Sequence, residues 1–125
     1  MNAASRSAGL AGLIIGLGLL LLTSGVDAEE RVNFQNVHGE TIEAIYIAPP
    51  AGRAIPAPAV IMLHGCGGLF TKSGKIRSRE RAWIDILHKE GWALLLPDSF
   101  GSRGHGNLCQ TKDRPVKPER ERPFD

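Results

Sequence analysis

Two short stretches of this 125-residue sequence concentrate the residues able to do chemistry. One is His64-Gly65-Cys66-Gly67-Gly68, and the other is Pro97-Asp98-Ser99-Phe100-Gly101-Ser102-Arg103-Gly104. A glycine-rich loop first suggests a phosphate cradle, which requires glycines at set intervals. Here the interval from Gly68 to Gly74 is one residue too long for a P-loop, and Ile76 stands where a magnesium-binding hydroxyl is needed. Counted from Gly65, the sixth position of a dinucleotide fingerprint is Phe70, not glycine. Both phosphate readings fail, so no nucleotide cofactor is expected. What remains is a turn whose backbone N–H groups could receive negative charge from an attacked acyl carbon. Glycine lets the chain turn sharply and brings those amides close to a substrate.

The elements that must hold these loops are legible as alternating strand and helix signals. Arg31–Val37 and Thr41–Ala48 are predicted strands, joined by a His38-Gly39 turn. Pro49–Pro58 holds four prolines and a glycine and is a connection. Ala59–Leu63 and Trp92–Leu96 are continuous apolar runs, the pattern of parallel strands covered on both faces. Between them, Ser78–Glu90 carries Trp83, Ile84, Ile86 and Leu87 on one stripe and ends before Gly91, a helix stop. Strand, helix, strand of this length makes a crossover unit, so the predicted fold class is α/β. Ligands of open α/β sheets sit outside the carboxyl ends of the strands, where both loops fall.

The ends of the chain differ in composition. Arg6, the uncharged run Leu10–Leu22 and the small residues before Glu29 have the layout of a secretory signal peptide over residues 1–28. A membrane-spanning helix would need about 20 apolar residues, so no stable anchor is expected. From Gly101 onward the chain becomes rich in Lys, Arg, Glu and Pro, the composition of a solvated loop or tail. Fifteen basic and 13 acidic side chains give a net charge of +2, too balanced for a nucleic-acid binder.

With its elements placed, HGCGG, the helix exit into LLLPDSFG and SRGHGNLC together resemble the N-terminal part of the dienelactone hydrolase family, within the α/β-hydrolase superfamily. The resemblance covers roughly residues 32–125 and implies the front part of an α/β-hydrolase sheet, about four strands and one main crossover helix. It implies an ester or lactone as small-molecule substrate and no cofactor. By the same resemblance the Cys66 backbone N–H is the first oxyanion amide, with Gly65 and Gly67 shaping the turn. His64 is then a loop residue rather than a catalytic base, and Asp98 a turn or cap residue. Arg103 falls in a loop where some members hold a substrate carboxylate; a solvent-facing arginine is the competing reading.

The sequence departs from the family at the nucleophile. That residue needs an elbow, G-x-S-x-G or G-x-C-x-G, with Asp and His following. No serine or cysteine here has glycine two positions away on both sides; Ser99, Ser102 and Cys66 each lack the preceding one. The expectation is a hydrolase front portion in residues 29–125, inactive alone, from a truncated frame, split gene or fragment. The alternative is a non-catalytic exported α/β fragment or partner-binding module. A half-sheet would leave an unpaired strand edge, so self-association is expected.

The two cysteines admit three states. In an oxidising compartment Cys66 and Cys109 should pair, because each follows the carboxyl end of one of two neighbouring strands. His64-x-Cys66 with His105-x-x-x-Cys109 could instead offer metal ligands, though at no established zinc spacing. Two free thiols are the third state. The expectation is the disulfide, with no metal site.

Overall fold

A computed structural model describes residues 29–53 and 55–125, and the expected signal peptide lies outside the described residues. Alternating side chains build the first hairpin. Strand β1 (Glu29–Gln35) runs antiparallel to β2 (Thr41–Ile47), pairing Glu29 with Ile47 and Gln35 with Thr41. The turn between them is closed by Asn36, whose side-chain Oδ1 accepts from the His38 and Glu40 amides at 3.0 and 2.9 Å. This Asx turn hands the chain back at Gly39, where φ is 76°.

Three further elements complete an α/β fold. Strand β3 (Ala59–Ile61) leads through helix α1 (Ser78–Lys89) to β4 (Ala93–Pro97), which pairs parallel to β3 and antiparallel to β2. The resulting mixed sheet has the order β1-β2-β4-β3, so β3 is an edge. The Met62 N–H donates to the Leu95 carbonyl at 2.8 Å, carrying the parallel pairing one residue past β3. A short helix α2 (Pro118–Glu121) lies near the end of the irregular region that follows β4.

The larger core cluster forms on one face of the sheet, while Ile42 and Ala44 are buried on the other. In that cluster Ile45, Ile47, Leu94 and Leu96 join Leu69 and Ile84 of α1, and Val60 and Met62 pack against it. A second, smaller cluster of Phe100, Leu108 and Val116 holds the segment after β4. This arrangement corrects two expectations. The strand run Ala59–Leu63 is not covered on both faces: Val60 and Met62 point to α1, whereas Ile61 and Leu63 point away and are 67% and 52% exposed. Likewise only Ile84 of the α1 stripe is buried, with Leu87 partly so, while Trp83 and Ile86 are each 53% exposed. A stripe marks what a helix can bury, and the sheet beneath α1 is only wide enough for part of it.

Candidate functional site

The turn after β3 is set by its own hydrogen bonds. The Gly68 N–H donates to the Gly65 carbonyl at 3.1 Å, making Cys66 and Gly67 the central residues of a β-turn. In such a turn the central amides are not consumed, and among the described residues neither the Cys66 nor the Gly67 N–H has an acceptor. Glycine is needed at the exit: Gly68 has φ 81°, and a Cβ there would meet the Gly106 carbonyl oxygen at 3.2 Å. The Cys66 carbonyl accepts from the Leu108 N–H at 2.8 Å, tying this turn to the segment after β4.

The second tie is covalent. Cys66 and Cys109 form a disulfide with their Cα atoms 4.8 Å apart, as expected from loops leaving adjacent strands. Both sulfurs are thereby withdrawn from the alternative metal set, and among the described residues no group of three His, Cys, Asp or Glu side chains converges for a metal. Such a bond fits an oxidising compartment. Among the described residues no helix is long and apolar enough to cross a membrane.

Outside the turn lies an open cleft of about 310 Å³, lined by Gly65, Cys66, Gly67 and Gly68, by Arg77 to Glu80 at the start of α1, and by Cys109. The cationic wall of this cleft has no motif in the sequence to announce it. The Arg77 guanidinium packs on Gly67, where a Cβ would come within 3.2 Å of it, and its buried Nε has no acceptor among the described residues. Arg79 lies over Gly65 and donates to Glu80 at 2.8 Å. The available signal was the position of Arg-Ser-Arg-Glu at the start of the crossover helix, because that end returns to the strand's carboxyl edge. A larger hollow of about 470 Å³, among residues 111–118, shares no residue with the turn.

The remaining candidates sit behind the turn rather than in its cleft. His64 is 1% exposed, edge-on to Phe100 with centroids 4.7 Å apart. Its Nδ1 lies 2.8 Å from the Gly65 carbonyl and 3.0 Å from Arg122 Nη2, so it can donate to the first or accept from the second. Its Nε2 is 3.7 Å from Asp98 Oδ1, too far for a hydrogen bond. Burial pushes the imidazole below its ordinary range; the Gly65 carbonyl opposes this and the Arg122 charge reinforces it. Asp98 accepts from the Gly101 N–H at 3.1 Å, a turn-forming contact.

Arg103 is the centre of a partly buried ionic knot. Its guanidinium donates to Glu40 Oε2 at 2.5 Å, to Asp125 Oδ1 at 2.8 Å and to the Ser99 carbonyl at 2.8 Å. Its side chain is 12% exposed and does not line the cleft beside the turn. These partners hold the Glu40 carboxyl below its usual range, with the Arg103 bond the main cause. For Asp125 burial acts to raise the carboxyl, yet the bonds from Arg103 and Asn36 win and its pKa is lowered.

No protein-family model and no curated protein sequence matches the chain. Among solved structures, it is similar to the crystal structure of a probable hydrolytic enzyme from Pseudomonas aeruginosa PAO1, with 16% identity and a TM-score of 0.39. The match covers 77% of this chain and 27% of the other, so the chain spans about a quarter of that protein's length. A likeness at that level assigns no activity, and the functional reading rests on the turn itself.

Proposed function

We propose that this chain is the oxyanion side of an exported, dienelactone hydrolase-like ester or lactone hydrolase, with the attacking residue supplied outside these residues. One observation carries the reading: among the described residues the Cys66 and Gly67 amides have no acceptor, and both residues line a cleft on a turn at the carboxyl edge of a parallel strand. A substrate carbonyl oxygen placed there would gain two N–H donors as it becomes negative. Gly65 and Gly67 admit the two arginine side chains closely, so positive charge adds to the same potential. The Cys66–Cys109 bond and the Leu108 amide keep the turn in register for that task. The disulfide also fits export. The rival reading, a partner-binding module without catalysis, draws on the exposed Ile61, Leu63, Trp83 and Ile86.

The test is reconstitution. Coding sequence beyond residue 125 is read in all frames for a G-x-[SC]-x-G elbow, and the joined protein is assayed on a 4-nitrophenyl ester. Hydrolysis is expected from the joined protein and none above buffer from the chain alone. Gly67→Pro, which deletes one donor, should lower kcat by about 10²–10³. An absent elbow, turnover by the chain alone, or an unchanged kcat in Gly67→Pro would each overturn the reading.

A further inference from the structure

The cleft beside the turn contains a reactive group that ester hydrolysis does not use. Cys66 and Cys109 are both exposed, and their disulfide forms part of the cleft lining. Exposed disulfides are the ones open to exchange, because a thiolate must reach one sulfur in line with the S–S bond. The surroundings also favour the other sulfur leaving. Exchange expels one cysteine as a thiolate, and neighbouring cationic side chains stabilise that form. Arg79 is already committed to Glu80, whereas Arg77, packed on the residue after Cys66, pairs with no carboxylate among the described residues. Gly67, whose N–H has no acceptor among the described residues, lines the same cleft.

We propose that the Cys66–Cys109 disulfide is a thiol-exchange site selective for small anionic thiols, with Cys66 as the leaving sulfur. The incoming thiol ionises and releases its proton to solvent. Its thiolate attacks Cys109 Sγ, a new S–S bond forms there, and the pair of the old S–S bond departs on Cys66 Sγ. The products are a mixed disulfide on Cys109 and a Cys66 thiolate beside Arg77. A second molecule of thiol can then attack the adduct, leaving the two cysteines reduced and the thiol oxidised to its own disulfide. Arg77 attracts a negatively charged thiol on approach and stabilises the departing sulfur. Failure of this exchange would leave the hydrolase reading untouched, because an unreactive disulfide still holds the turn.

The experiment treats the oxidised full chain with 2-mercaptoethanesulfonate, 2-mercaptoethanol and cysteamine, which are anionic, neutral and cationic. Iodoacetamide quenching and peptide mass mapping then locate adduct and free thiol, with rates expressed per thiolate. The expected result is an adduct on Cys109, alkylation on Cys66, and an anionic-over-cationic preference of about threefold to fivefold per thiolate, the size of one exposed ion pair. Added salt should erase the preference in the unmodified protein, Arg77→Gln should abolish it, and Arg77→Lys should restore it. An adduct on Cys66, equal rates for the three thiols, a preference that survives both salt and Arg77→Gln, or resistance to all three until denaturant is added would overturn the proposal.

Discussion

Replacing both cysteines, Cys66→Ala with Cys109→Ala, isolates what the covalent tie contributes to the loops it joins. The bond spans a sequence separation of 43 residues. In the chain-entropy account, releasing a closed loop of that size from the unfolded state lowers stability by about 4 kcal/mol. Both positions are exposed, so truncation to alanine opens no buried cavity that would add to the loss. The other attachments of the segment after β4 are modest: the Leu108–Cys66 backbone bond, the Phe100, Leu108 and Val116 cluster, and the Arg103 knot. These limit how far the loops separate, so the expected loss is about 3–4 kcal/mol. With a slope of about 1–1.5 kcal/mol per molar, the urea midpoint should fall by about 2–4 M. Tryptophan fluorescence at low micromolar protein follows the transition, since Trp92 packs against the core. A loss below about 1 kcal/mol would refute the reasoning, because the loops would then be ordered by contacts other than the disulfide.

Acid should destabilise the protein in two stages. The native imidazole of His64 titrates below its unfolded value of 6.5, so the unfolded chain takes up a proton first and stability falls as pH drops below that value. Asp125 has a native pKa under its ordinary 3.8, so its contribution is present above that value and is lost on further acidification. Urea midpoints from pH 8 to pH 3 read both stages; a profile flat from pH 7 to pH 4.5 would contradict the first, and His64→Gln should remove it. The open edge of β3 leaves Ile61 and Leu63 exposed, so sedimentation should show concentration-dependent association of the chain. Ile61→Lys with Leu63→Lys should return it to monomer, and a wild-type chain that stays monomeric with a sharp two-state melt would refute this.

How far the sequence reveals this molecule depends on the range of the interactions involved. Strands and helix follow from local periodicity, and their observed limits lie within two residues of those expected. The Cys66–Cys109 pair was accessible because strand order places the two loops side by side. Exposure of Ile61, Leu63, Trp83 and Ile86 was not, since an apolar run reports a side chain's preference and not the presence of a cover. The knot of Glu40, Arg103 and Asp125 joins residues 63 and 22 positions apart, with no periodic pattern to announce it. For the same reason Arg103 reads from the sequence as a loop arginine near a substrate, while in the fold it clamps the hairpin turn to the chain's far segment. Arg77 and Arg79 were hidden differently: they flank the first residue of a helix, where side-chain direction depends on how the crossover packs.

Amide hydrogen exchange at single-residue resolution addresses the oxyanion turn most directly. Cys66 and Gly67 should exchange close to the rate of an unstructured peptide. Gly68, bonded to Gly65, and Leu108, bonded to Cys66, should be strongly slowed. Protection of the Cys66 and Gly67 amides equal to that of Gly68 would mean that they are satisfied within the protein, leaving no donors for an acyl oxygen.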